Sequence, residues 1–154
     1  ALGSRSILAD PRRPEMKDLV NSKIKFREAF RPFAPSVIAE EAERHFDLPG
    51  ADLAYPARFM LYVLPVCEDK RSSLAAITHV DGSARPQTVH KELHPLYHRL
   101  ISGFGEATGV PVVLNTSFNL RGEPIVNTPA EAFSTFMRSG LDVLILGNYR
   151  IIKP

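Results

Sequence analysis

Cysteine is nearly absent: Cys67 stands alone among 154 residues. No disulfide can close within the chain, which suits a reducing compartment, so the expected setting is cytoplasmic. Cys67 lies in an apolar run, and reactive thiols need an electropositive neighbour, so the expectation is a core residue rather than a nucleophile. No apolar run reaches the ~18 residues that cross a bilayer, and the opening residues carry no signal-peptide pattern, so no membrane role is expected. An excess of one charge is also missing. Nineteen Lys and Arg against seventeen Asp and Glu leave a net charge of +2, too little to argue for nucleic acid by itself. Any electropositive site must therefore be a local cluster. Neither a Walker A loop nor Gly-x-Gly-x-x-Gly occurs, which excludes the standard phosphate loops. An initiating methionine is absent too. The chain opens on Ala1-Leu-Gly-Ser-Arg-Ser6, which reads as the middle of a motif, and is expected to be a piece of a larger protein.

What is present is ordinary soluble composition, 44% hydrophobic and 23% charged, in a length that fits one domain with a real core. Residues 1–13 read as a basic, turn-rich segment, and Pro14 opens a short helix striped by Met16, Leu19 and Val20. From Ile24 to Arg31 the period changes to two, predicting an extended stretch with Lys25, Arg27 and Arg31 on one side and Ile24, Phe26 and Phe30 on the other. A helix is expected over 36–45. Strands are expected over 58–66, which reads as central, 75–79 and 84–89, the last two joined at Asp81-Gly82. His94 and Pro95 begin a helix that Gly109 ends. Pro111–Leu114 is a short buried strand. Thr128-Pro-Ala-Glu131 is a capping box for a helix reaching about Ser139, and strands over 141–146 and 149–152 close the chain. No internal repeat is present. This mixture of hairpins and crossovers predicts an α/β domain with a mixed, twisted sheet.

Three stretches could carry chemistry. The run Lys25-Phe-Arg27-Glu-Ala-Phe-Arg31-Pro32 places three cations together, and guanidinium and ammonium groups suit a phosphate-bearing ligand. The alternative is a half-buried strand with a solvated basic face. Pro111-Val-Val-Leu-Asn-Thr-Ser-Phe-Asn119 delivers Asn115, Thr116, Ser117 and Asn119 at the carboxyl end of a strand, where α/β sheets place ligands; the alternative is a polar turn. His79-Val-Asp-Gly-Ser-Ala-Arg85 brings Arg85 out of a tight turn, as a ligand contact or a surface residue. Arg5 and Ser6 could meet a phosphate or fray. Of His90, His94 and His98 only the last two would share a helix, and two histidines without a clear third ligand are a weak zinc signal, so exposed or packing roles are expected, with no metal in this chain.

Taken together these motifs resemble the C-terminal domain of the O-carbamoyltransferases, the family of the nodulation-factor, cephamycin and tobramycin carbamoyltransferases. The likeness rests on Ala1-Leu-Gly-Ser-Arg-Ser-Ile-Leu-Ala-Asp-Pro-Arg12, on Asn21…Lys25-x-Arg27-Glu…Phe30-Arg-Pro-Phe-Ala-Pro-Ser36, on His79-Val-Asp-Gly-Ser-Ala-Arg85-x-Gln-Thr88, and on Gly109 through Asn119 followed by Arg-Gly-Glu-Pro-Ile-Val126. It covers almost the whole chain and is silent about the acceptor.

The resemblance implies a YrdC-like fold, a twisted mixed β-sheet with flanking helices. It implies that carbamoyl phosphate and ATP, with Mg, react here to give carbamoyl adenylate and pyrophosphate. The carbamoyl group then moves to an alcohol in an N-terminal Kae1-like domain of the same protein, where an iron-type metal is expected. That partner domain is missing from this chain, so only the activation half-reaction is expected of it. Carried over by position, Lys25 and Arg85 are the catalytic candidates, and Arg5, Ser6, Arg27, Arg31, Asn115, Thr116, Ser117 and Asn119 join them in binding. Two other expectations compete. One is a YrdC-type RNA- or nucleotide-binding module of tRNA modification, which Phe26 and Phe30 disfavour because they fall on the apolar face instead of forming a stacking platform. The other is a domain that has lost activity and packs against a partner.

Overall fold

The computed structural model describes residues 3–25, 33–48 and 55–153. Its centre is a four-stranded sheet in the order β1-β6-β2-β5, built from β1 (Ser6–Ala9), β2 (Ala34–Ile38), β5 (Gln87–Val89) and β6 (Val112–Ser117). β6 runs antiparallel to both β1 and β2, whereas β2 and β5 are parallel, so the sheet is mixed. Helices α1 (Glu15–Val20), α2 (Ala42–His45), α3 (Pro95–Thr108) and α4 (Pro129–Arg138) flank it. The architecture is therefore the α/β domain with a mixed sheet that the sequence predicts. Two short pairings complete it: β3 (Leu64–Pro65) with β4 (Ser83–Ala84), and β7 (Val143–Leu146) with β8 (Tyr149–Ile152). Among the described residues no helix is long and apolar enough to cross a membrane.

The pleat sends alternate side chains to opposite faces. Ile7, Val37, Val112 and Leu114 enter the main core with Val20, Phe46, Ala132, Phe136 and Leu144. Leu8, Ile38, Val89 and Val113 face α3 instead, where Tyr97, Ile101 and Phe104 cover them. Continuing along the α3 face in steps of two, the side chains turn polar at one end of the sheet: Ser6 on β1, Asn115 and Ser117 on β6, Ser36 on β2 and Gln87 on β5. Register brings them together, with Ser6 opposite Ser117 and Ser36 opposite Gln87.

Where local chemistry is strong, the predicted elements appear. Pro95 opens α3, Gly109 closes it with φ +77, and Thr128 and Glu131 form the reciprocal capping box of α4. The His94 side chain makes no capping hydrogen bond. Thr128→Ala is expected to lower stability by about 1 kcal/mol, measured as a shift in the urea unfolding midpoint.

Several expectations are corrected. Residues 6–9 form an edge strand, not a turn-rich arm. Ser36 lies within β2, and only Ala42–His45 of the expected helix is α-helical. The expected central strand over 58–66 is instead a 3-10 turn at Tyr55–Phe59 and a two-residue strand. Leu61 and Val63 are exposed there, so apolar content without burial on both faces misled the reading. Residues 75–77 form a turn and 78–79 have no regular structure, and Asp81-Gly82 closes a local turn in which the His79 N–H reaches Ser83 O at 2.8 Å. Ile24 and Lys25 end a π-helical turn (Asn21–Lys25) rather than starting a strand; the remainder of that stretch, residues 26–31, lies outside the described residues. Cys67 is half-buried, not core.

Candidate functional site

Lys25 carries the most unusual environment in the chain. Its residue surface is 2% exposed, and long cationic side chains are almost never fully buried without dedicated partners. The π-helical turn after α1 delivers it to the carboxyl end of β6. There Nζ donates to Ser117 O at 2.6 Å, Ser117 Oγ at 3.2 Å, Asn119 O at 3.0 Å and Asn119 Oδ1 at 2.7 Å. Among the described residues, four neutral oxygens thus meet a compact ammonium. The surrounding loop is itself fixed. Ser117 Oγ donates to Asn119 Oδ1 at 2.6 Å, and Asn119 Nδ2 donates to Glu123 O at 2.7 Å. The Glu123 carboxylate in turn accepts from Arg138 of α4 at 2.8 Å, and that guanidinium holds the carboxyl below its ordinary pKa.

A second device seats the turn that bears Lys25. Gly140, just past α4, donates its N–H to Lys23 O at 3.1 Å. A Cβ at position 140 would lie 2.7 Å from both Cβ and Cγ of Lys23, so only glycine permits this approach. The sequence marks Gly140 as a helix stop; its role against residue 23 depends on a pairing of elements far apart in the chain.

One step back along β6, Asn115 is 2% exposed and joins Ser36 and Gln87 in a closed set of hydrogen bonds. Asn115 Nδ2 donates to Ser36 Oγ at 2.8 Å and to Gln87 Oε1 at 2.9 Å, and Ser36 Oγ donates to Gln87 Oε1 at 2.9 Å. Among the described residues, Asn115 Oδ1 is buried without a hydrogen-bond partner, and the buried Tyr97 hydroxyl makes no well-formed hydrogen bond although Ser36 lies near it. Burial pushes the Tyr97 phenol well above its ordinary pKa, with Ser36 slightly opposing. Ser36, Gln87 and Tyr97 were not singled out from the sequence. The available signal was a polar side chain at inward parity in each of two buried strands.

The other predicted residues are placed as follows. Ser6 Oγ accepts from Gly3 N at 3.0 Å, and Ser6 pairs across from Ser117. Arg5 is exposed, and its guanidinium donates at 3.2 Å to Val126 O and to Asn127 Oδ1, across the loop that follows β6. Thr116 points to the opposite face from Asn115 and Ser117. Arg85 is exposed between β4 and β5; burial disfavours protonation of His79, Asp81 opposes this, and the Lys17 and Arg85 charges add to it. Arg27 and Arg31 lie outside the described residues. The structure therefore brings Lys25, Ser117, Asn119, Ser6 and Asn115 to one end of the sheet, with Arg5 against the adjoining loop.

His79, Asp81 and Ser83 gather in the turn before β4, but not as a nucleophilic triad. The Ser83 hydroxyl donates to Asp81 at 2.7 Å and lies 3.3 Å from His79 Nδ1, so the carboxylate, not the imidazole, holds the hydroxyl proton. His98 Nε2 contacts the Glu40 carboxylate at 3.0 Å. Among the described residues no three His, Cys, Asp or Glu side chains gather as metal ligands.

A family model described as carbamoyltransferase C-terminus matches residues 1–153. Nodulation protein NolNO of Sinorhizobium fredii is 51% identical over 99% of this chain, which corresponds to 22% of the relative. Nodulation protein NolO of Bradyrhizobium diazoefficiens is 48% identical over 99% of the chain and 28% of its own length. The 3'-hydroxymethylcephem-O-carbamoyltransferase of Amycolatopsis lactamdurans is 39% identical over 96% of the chain and 27% of its own length. The chain thus spans about a quarter of the relatives it matches.

Proposed function

Because the chain belongs to the carbamoyltransferase C-terminal family, we propose that its sheet end binds carbamoyl phosphate and ATP and activates the carbamoyl group as carbamoyl adenylate, for O-carbamoylation of an alcohol by a longer protein. Carbamoyl transfer is the chemistry of the family; the donor, the nucleotide and the half-reaction are our reading. The single observation that carries it is the buried Lys25 ammonium clamped across the end of β6. Burial in a low-dielectric site strengthens its attraction for an incoming phosphate. Among the described residues the ammonium, with three protons, meets four acceptors, and Ser117 Oγ at 3.2 Å is the longest of these contacts. Exchanging that contact for a phosphate oxygen keeps the lysine saturated.

Atom balance defines the half-reaction. Carbamoyl adenylate contains one phosphorus, the α-phosphorus of ATP. The phosphate of the donor must therefore leave to water as inorganic phosphate, keeping the bridging oxygen on the carbamoyl carbon. That carbamate oxygen attacks the α-phosphorus, and pyrophosphate departs. Two polyanions have to approach one another, so fixed cations offset their repulsion and positioning supplies much of the rate. In this reading Lys25 does this at the phosphate, with Arg85 as the second cation. Mg would accompany ATP. An iron-type metal belongs, in this reading, to an N-terminal Kae1-like domain and not to the residues described here. The RNA-binding alternative needs a solvated basic face; Lys25 is instead buried.

Calorimetric titration with carbamoyl phosphate at low salt tests the reading. Arg85 is exposed, so Arg85→Ala is expected to fold normally while weakening donor binding roughly 10-fold or more, the loss of one charge-assisted contact. Equal affinity in the variant removes Arg85 from the site, and no heat or competition with carbamoyl phosphate in the unaltered chain refutes the reading.

A further inference from the structure

Among the described residues, Asn115 Oδ1 is a buried acceptor that receives no hydrogen bond. Buried polar atoms of this kind are rare and call for an explanation. The amide is held by both ends of its donor group. One Nδ2 proton goes to Ser36 Oγ and the other to Gln87 Oε1, while the one hydroxyl proton of Ser36 goes to Gln87 Oε1 as well. Both amide protons of Asn115 and the hydroxyl proton of Ser36 are used within the set, so the Asn115 amide can present only its oxygen. Asn115 and Ser117 share one face of β6, two residues or about 7 Å apart along the strand. Ser117 is where the Lys25 ammonium is bound. The sheet end therefore offers a cation at one rung and a hydrogen-bond acceptor at the next. Carbamoyl phosphate carries an anionic phosphate at one end and an NH2 group at the other, over a comparable length.

We propose that Ser36 and Gln87 are positioning residues that lock the Asn115 amide with its oxygen toward the ligand, so that the site selects a carbamoyl donor by its NH2 group. The inference rests on the donor-site reading above and adds the source of its selectivity. Neither Ser36 nor Gln87 touches the ligand; they act through Asn115. A site built to accept from an NH group rejects an analogue that lacks it, because its own buried acceptor is then left unpaired.

The test uses acetyl phosphate, which keeps the phosphate and the carbonyl but replaces NH2 by a methyl group. Calorimetry on the full chain compares carbamoyl phosphate, acetyl phosphate and inorganic phosphate. The unaltered chain is expected to prefer carbamoyl over acetyl phosphate roughly 10- to 100-fold, the range set by one unpaired buried acceptor. In Ser36→Ala and Gln87→Met that ratio falls toward one, while affinity for inorganic phosphate stays the same. A merely structural role would weaken all three ligands together. The Asn115 side-chain amide protons, slow to exchange in the unaltered chain, exchange faster in either variant. Equal binding of carbamoyl and acetyl phosphate by the unaltered chain overturns the inference and leaves the donor site standing; Asn115 then pairs with a buried water or presents its NH2 to the shared carbonyl. Selectivity that survives in a folded variant overturns the positioning role. Failure of all three phosphates to bind sinks the donor-site reading, and this inference with it. Should Gln87→Met not fold, Ser36→Ala and the comparison in the unaltered chain still decide.

Discussion

Lys25→Met is expected to lower folding stability by about 2 kcal/mol and to weaken carbamoyl phosphate binding roughly 100-fold. Methionine has nearly the same length but no donor. Ser117 O keeps the Asn119 N–H at 3.1 Å, and Asn119 Oδ1 keeps the Ser117 hydroxyl at 2.6 Å. Asn119 O loses the lysine proton donated at 3.0 Å, and leaving one buried acceptor unpaired costs about 1–3 kcal/mol. The relief of removing a desolvated charge offsets part of that loss, which keeps the net figure modest. Lys25→Arg is expected not to rescue binding. A planar guanidinium cannot take the place of a compact ammonium inside four converging oxygens. Urea unfolding monitored by circular dichroism measures the first effect and calorimetry the second. A Lys25→Met chain that binds the donor as tightly as before would remove the cation from the site.

Gly140→Ala is expected to disturb the same cation from a distance. The added methyl would lie 2.7 Å from Cβ and Cγ of Lys23. These atoms sit at the root of that side chain and cannot swing aside, so the π-helical turn itself must shift. Overpacking of this kind costs typically about 1–3 kcal/mol. The Gly140 N–H to Lys23 O bond at 3.1 Å also tethers the turn to the end of α4. Displacing the turn moves Lys25, two residues on, away from Ser117 and Asn119. The expected result is lower stability by about 2 kcal/mol together with weaker carbamoyl phosphate binding. The control is Gly103→Ala on α3, where a Cβ meets nothing within 4 Å and where alanine is the better helix former by about 1 kcal/mol. If Gly140→Ala loses stability but keeps full donor affinity, the seating of Lys25 does not depend on this contact.

The elements read correctly from sequence are those whose ends carry their own chemistry. Thr128 with Glu131, and Pro95 with Gly109, specify where α4 and α3 begin and end through backbone and side-chain groups only a few residues apart. The stretch over 58–66 failed for the opposite reason. Its apolar side chains are compatible with a strand, yet a strand also requires a neighbour, and only Leu64 and Pro65 find one in β4. Ser36 illustrates the same limit. An amphipathic pattern following two prolines fits a helix, and it was the pairing with β5 and β6 that made the segment a strand.

The candidate site divides along the same line. Sequence alone determined which family the chain belongs to, because motif identity and order survive without coordinates, and it named the candidates for binding a phosphate. It also placed Asn115, Thr116, Ser117 and Asn119 at a strand end, since strand and turn are local matters. Tertiary structure alone decided that Lys25 is buried rather than solvated, that Thr116 leaves the face its neighbours share, and that Ser36 and Gln87 hold Asn115. The hydrogen bonds behind these facts join partners 28 to 94 residues apart. Spacing along a chain fixes the direction a side chain leaves the backbone, but burial and hydrogen bonding depend on what the rest of the fold brings to meet it.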